Sequence, residues 1–241
     1  LPDAASPALL DAALPDPSPY RGGTKEQLGW PLGRPTGTIV KAPQAESKKL
    51  PAMLRIAAPG TSFRLEDVSY MFSGGYEDRG LFFKKDNTTL RSASGVRSKV
   101  NIDGEYKSGE LVYIAASDVT IADVTIKGSK YHAIHVVPSG SDIKNTRLHN
   151  LHILDSRQQL VKVNPYKGKY ADYGSLDCSV LEQTAAGRKH VDQTTATGCY
   201  TGGIDAHAAW GWKVRRNTFK GIFCNNGKIG EHAVHFWSCS R

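Results

Sequence analysis

No stretch of this 241-residue chain approaches the roughly 20 consecutive apolar residues of a membrane-crossing helix, so no membrane role is expected. Helical periodicity is nearly absent from residue 60 onward, which argues against a bundle or a helix-alternating fold. Cysteine is scarce: Cys178, Cys199, Cys224 and Cys239 form no CxxC pair, which argues against a zinc ribbon or redox dithiol and for disulfides or buried thiols. Cys178–Cys199 and Cys224–Cys239 are the pairings expected first. Acidic residues are outnumbered, 23 against 31 basic, and the net charge of +8 points to a polyanionic partner. No nucleic-acid-binding motif appears and the basic residues are scattered, so an acidic polysaccharide is expected rather than nucleic acid.

Against these absences stands one repeated pattern. The segments HAIHVV (132–137), QLVKVN (159–164), GGIDAH (202–207) and HAVHFW (232–237) align so that one column reads His135, Lys162, Asp205, His235. The residues flanking that column are small or apolar: Ile134/Val136, Val161/Val163, Ile204/Ala206 and Val234/Phe236. Strand side chains alternate between faces, so the apolar pair points inward and the column outward, onto a solvent-facing ribbon.

A second frame precedes each rung: Ile121/Val124/Ile126, Leu148/Leu151/Ile153, Val191/Thr194/Ala196 and Val214/Asn217/Phe219. The steps 121 to 148 and 135 to 162 are both 27 residues, and 148 to 191 and 162 to 205 are both 43. This reads as an insertion of about 16 residues between Pro165 and Lys189. A weaker copy at Leu65/Val68/Tyr70 is followed by GLFFK, which puts Phe82 in the column. Short strands at this spacing, punctuated by Gly, Asn, Asp and Ser, predict an all-β fold, a right-handed parallel β-helix of about five coils. The inward Asn217 suits an amide paired with its neighbouring coil.

Residues 1–59 differ in kind, being rich in Pro, Ala and Gly, and read as an extended or capping segment ahead of a β-helix domain at 60–241. A short helix is expected from Ser6 to Leu14, with Ser6 as N-cap and Pro7 as first helical residue. Leu1-Pro2-Asp3 looks like the start of a mature or trimmed chain, hence an expectation of a secreted or periplasmic protein. Arg241 follows the last rung so closely that a truncated chain, or self-association through an uncapped coil, is expected.

The segments TGGIDAHAAWGWKVRRNTFKGI (201–222) and EHAVHFWSCSR (231–241) resemble secreted bacterial right-handed β-helix proteins. The coil architecture from about 111 to 241 is similar to that of β-helix polysaccharide lyases, including alginate lyases and chondroitinase-type enzymes. The resemblance implies a Lys or His/Tyr base, a cationic group or Ca²⁺ at the uronate carboxylate, and a cleft along one strand face. Lys162 and its flanking histidines match that pattern.

β-Elimination needs a base beside a positive charge that stabilises the developing enolate. Lys162, between His135 and Asp205, is the candidate base, and His135 or His235 the donor to the leaving oxygen. Asn164, His207 and Trp237 share the next outward column, where Trp237 can stack on a sugar ring. Arg157 can hold a carboxylate bidentately. The expected insertion carries Tyr166, Lys167 and Tyr170, aromatic and basic groups suited to an anionic sugar chain. A metal set of Asp205, His207 and His235 lacks motif-level spacing. Calcium wants clustered carboxylates, and this face offers Asp205 and Glu231, so no cofactor is expected beyond the Ca²⁺ the resemblance would bring. Hydrolysis generally takes two carboxylates, which leaves a lyase or a non-catalytic binding surface. His132 and His232 are expected to make turn or core hydrogen bonds.

Overall fold

In every later coil the chain turns at a residue held in the left-handed region. Asp123, Asn150, Cys178 and Arg216 have φ of 57, 50, 54 and 55°. Aspartate and asparagine adopt that conformation readily; cysteine and arginine do so here against a small steric cost. Each sits between two three-residue strands, and the residue after it (Val124, Leu151, Ser179, Asn217) points toward the interior. The computed structural model describes residues 37–73, 79–195 and 198–238. The helix expected at Ser6–Leu14 lies outside the described residues.

The strands collect into three long parallel sheets and a two-stranded one, Ile143–Lys144 with Ala171–Asp172. Sheet 1 contains Ile39–Ala42, Ser62–Leu65, Thr89–Ser92, Thr120–Ala122, Arg147–His149, Ser175–Asp177 and Lys213–Arg215. Sheet 2 contains Ser69–Met71, Asn101–Asp103, Thr125–Lys127, His152–Leu154, Val180–Glu182 and Thr218–Lys220. Sheet 3 contains Arg79–Phe83, Glu110–Ile114, Ile134–Val136, Val161–Val163, Gly202–His207 and His232–Trp237. Successive coils supply successive strands to each sheet, which makes the fold an all-β parallel solenoid of about six turns. The register of sheet 3 runs Phe82, Tyr113, His135, Lys162, Asp205, His235, which includes the expected column.

Inward residues stack on their counterparts one coil away. Ile121, Leu148 and Leu176 form one such stack and Ile126, Ile153 and Leu181 another, all fully buried. Each such side chain contributes about 1.5–3 kcal/mol of burial free energy. Asn217, inward among these, accepts from the Ser179 N–H at 2.8 Å and donates to the Leu176 carbonyl at 2.8 Å, so its amide is satisfied by the preceding coil. At the last coil Val234 and Phe236 are 43% and 36% exposed, whereas their counterparts Ile204 and Ala206 are fully buried.

Three features depart from the expected organisation. The counterpart of Leu148/Leu151/Ile153 is Leu176/Ser179/Leu181, 28 residues on, not Val191/Thr194/Ala196. The long excursion therefore falls after Glu182, before Gly202, and Val191 packs beside Cys199 and Cys224, outside the solenoid core. A whole coil, Thr89–Ile114, also lies between the copies found by spacing; its first corner is stretched by a 3₁₀ turn at Arg97–Lys99, so the constant offset is lost. At the start, Ile39–Ala42 already pairs with Ser62–Leu65, and a short helix, Leu50–Ile56, inserts Leu50 and Leu54 into the core.

Candidate functional site

The outward column is not a solvent-facing ribbon, as alternation alone suggests. Lys162 and Asp205 are only 6% and 5% exposed, because side chains from the neighbouring columns fold over them. Lys162 Nζ donates to Asp205 Oδ2 and stands 3.1 Å from His207 Nε2. His207 Nε2 is also 3.0 Å from Asp205 Oδ1, the same oxygen that His235 Nδ1 approaches at 3.3 Å. One carboxylate thus gathers an ammonium and two imidazoles. Burial pushes the His207 pKa below its usual value and the Lys162 charge pushes it further, against the opposing pull of Asp205.

Trp237 continues this group outward. Its ring stacks on His235 at 5.4 Å with planes 15° apart and meets His207 edge-on at 4.5 Å. It is 49% exposed and forms the accessible rim of the cluster. His232 is exposed, with its ring 4.4 Å from that of His235.

Toward the N-terminal coils the column carries a second polar group. Glu110 Oε1 lies 3.1 Å from His132 Nδ1 in hydrogen-bonding geometry, and 3.1 Å from His135 Nδ1 off the hydrogen-bond direction. Burial raises the Glu110 carboxyl, but the two imidazoles outweigh it and hold the pKa at about 2. Burial is also the main reason that His132 has a lowered pKa. On their far sides His132 Nε2 contacts Gln159 Oε1 and His135 Nε2 contacts Asn164 Oδ1, each at 3.0 Å. His132 therefore has a polar partner at each ring nitrogen, as its place at the head of a rung suggests.

The remaining site residues lie in other groups. Tyr166 and Lys167 form a tight turn closed by paired hydrogen bonds between Tyr166 and Lys169, with Lys167 Nζ 5.2 Å from the Tyr166 ring centre. The Tyr170 N–H donates to Asp142 at 2.8 Å. This turn belongs to an ordinary coil, since Ile143–Lys144 pairs with Ala171–Asp172. Arg157 Nε donates to the His190 carbonyl at 3.1 Å and lines a cleft of about 370 Å³ with Tyr106, Lys189 and His190. Tyr106 stacks on His190 at 3.9 Å, and burial raises its pKa to about 12.

The disulfide expectation needs correction. Cys199 joins Cys224, with Cα atoms 5.6 Å apart, so neither the Cys178–Cys199 nor the Cys224–Cys239 pairing holds. Cys178 is a free thiol at a coil corner, and Cys239 lies outside the described residues. The excursion between the second and third sheets brings Cys199 to Cys224, a contact that sequence order does not suggest.

The lengthened corner of their coil hides Tyr113 and Glu110 from the repeat spacing. His132 is hidden for a different reason. Strict alternation places a residue three positions before His135 on the opposite face, but residue 132 precedes the strand Ile134–Val136 and the chain is still turning there. The HxxH spacing in both HAIH and HAVH was the available signal.

The fold and site together define a parallel β-solenoid with a buried ionic network along one sheet face. Comparison with protein-family models, curated proteins and solved structures finds no match. Among the described residues no helix is long and apolar enough to cross a membrane.

Proposed function

We propose that the outer face of sheet 3 acts on an acidic polysaccharide by β-elimination, in a secreted or periplasmic protein. The observation that carries this reading is the convergence of Lys162, His207 and His235 on the single carboxylate of Asp205. A fixed carboxylate orients imidazoles by accepting their N–H groups, as in acid–base pairs generally. With Nε2–H directed at Asp205, His207 presents Nδ1 as a base, and its lowered pKa keeps it neutral near pH 7. Lys162 then holds the carboxylate in place rather than serving as the base, which its burial also favours.

In this reading His207 removes the proton beside the uronate carboxylate, and the electron pair forms the new C–C double bond. The bond to the leaving oxygen breaks, and His235 supplies that oxygen with a proton. Trp237 offers the exposed ring on which a sugar can stack, and the charge of +8 draws a polyanion to the protein. The Cys199–Cys224 disulfide supports an oxidising compartment.

The test is ultraviolet absorbance of the unsaturated product on alginate, pectate and glycosaminoglycans. His207→Ala is expected to lower kcat by at least about 10²-fold, the usual scale for a general base. Trp237→Ala is expected to raise KM instead. Wild-type protein that releases no unsaturated product from any uronate polymer would sink the lyase reading. The burial of Lys162 and Asp205 favours a second reading, a non-catalytic carbohydrate-binding face. Retarded migration in polysaccharide-containing gels, lost in Trp237→Ala and without product, would identify it.

A further inference from the structure

Glu110, His132 and His135 bring three donor atoms within 4.8 Å of one another. Glu110 Oε1 stands 3.1 Å from Nδ1 of each histidine. Two ligands on one ion at about 2.1 Å lie roughly 3–3.5 Å apart, so both close pairs have the separation of atoms that share an ion.

The hydrogen positions sharpen this. Gln159 Nε2 donates to Glu231 Oε2 at 2.5 Å, and a carboxylate only accepts. The Gln159 amide is therefore oriented with its oxygen toward His132 Nε2, 3.0 Å away. An amide oxygen also only accepts, so the His132 ring hydrogen sits on Nε2. Asn164 Oδ1 plays the same part at His135 Nε2. In neutral His132 Nδ1 then carries a lone pair directed toward a carboxylate oxygen, and the matching tautomer of His135, with Nε2–H on Asn164 Oδ1, does the same. His135 Nδ1 is buried and has no hydrogen-bond partner among the described residues.

Lone pairs that face one another repel unless positive charge lies among them. Extra protons on the rings or a shared cation would supply it. A shared cation satisfies all three donors at once. The outer amides complete the pattern, since a metal-bound histidine donates its second N–H to an oxygen that fixes the ring.

We propose that Glu110, His132 and His135 bind one divalent transition-metal ion of the zinc class, with Gln159 and Asn164 as the positioning shell. Two imidazoles and one carboxylate suit zinc or iron rather than calcium, which takes oxygen ligands. Three protein ligands leave a coordination position for water or a substrate oxygen, and the half-buried Glu110 and His135 lie on its open side. The set of Asp205, His207 and His235 does not compete, because the Lys162 ammonium already occupies that carboxylate. This inference stands apart from the lyase reading, since it concerns metal affinity alone.

The test is calorimetric titration of the tag-free, chelator-stripped 241-residue protein with Zn²⁺, paired with visible spectra of the Co²⁺ form. One equivalent is expected to bind, with Co²⁺ giving the ligand-field bands of a four- or five-coordinate site. His135→Ala and Glu110→Gln are expected to weaken Zn²⁺ binding by at least about 100-fold. Asn164→Ala, at a half-buried position that tolerates truncation, is expected to weaken it about 10-fold. The double variant His207→Ala/His235→Ala should bind as wild type does. Wild type that takes up no Zn²⁺, or folded His135→Ala and Asn164→Ala proteins with wild-type affinity, would overturn the proposal, as would loss of binding in the double variant.

Discussion

Lys162 and Asp205 face each other from adjacent rungs of sheet 3 as an ion pair removed from water. Desolvating two charges offsets most of their attraction, so the pair matters most when it is broken. Lys162→Met should destabilise the protein by about 3–5 kcal/mol, because it leaves the Asp205 carboxylate buried with only imidazole partners. The double variant Lys162→Met/Asp205→Leu should recover much of that loss. Chemical denaturation of the three proteins checks both statements, and a single variant as stable as wild type would contradict them.

A second expectation concerns pH. His149 is buried on the outer face of sheet 1, and burial lowers its pKa from 6.5 against the pull of Asp123 and Asp177. The unfolded chain therefore binds a proton there at a higher pH than the folded chain does. Stability from this residue is fully present above pH 6.5 and falls as the pH drops through the window below it. His149→Phe should flatten the slope of stability against pH just below 6.5 without changing the solvent face of sheet 3. Melting temperatures between pH 7.5 and 5 provide the comparison, and an unchanged slope in the variant would count against it.

The disulfide yields a third. Cys199 and Cys224 are 25 residues apart and enclose the strand Gly202–His207, while the thiol of Cys178 stands apart from them. Non-reducing peptide mapping should recover a 199–224 cross-link and an alkylatable Cys178. Replacing both bridged cysteines by serine should cost about 3 kcal/mol, the usual scale for a loop of this size. A Cys178–Cys199 cross-link in the map would refute the arrangement.

The fourth contrasts two paired core positions. Ile204→Ala removes a fully buried side chain between two coils and should cost about 2–5 kcal/mol. Val234→Ala, one rung further and 43% exposed, should cost under about 1 kcal/mol in this chain. Equal losses on urea denaturation would mean that Val234 is better covered than it is here.

Much of the architecture could be read from spacing, because each coil repeats the same inward apolar positions and a strand pair preserves register over its whole length. Ile121, Leu148 and Val214 were in their places for that reason. Spacing hides Leu176 because Ser179 and Cys178 replace the apolar and Asn/Asp residues of the neighbouring coils, while Val191 offers a matching apolar frame. The column itself could be read, but its burial could not. Alternation says which face a side chain leaves from; it does not say that His207 and Asn164, two residues along, will lean over Lys162 and His135. Nor does it reach His132, which joins the face through a turn.

The left-handed corners at Asp123, Asn150, Cys178 and Arg216 make the coil a unit of length as well as of shape. Excising one whole period, such as the 27 residues that separate Ile121 from Leu148, moves every later corner back by one complete turn and leaves the rungs facing as before. Deleting a single strand residue does the opposite: all the side chains beyond it in that rung change sides, apolar for polar. The chain is thus built like a ratchet, forgiving of whole teeth and intolerant of fractions. Its added material sits between strands, as in the stretch between Glu182 and Gly202, where extra length does not advance the wheel.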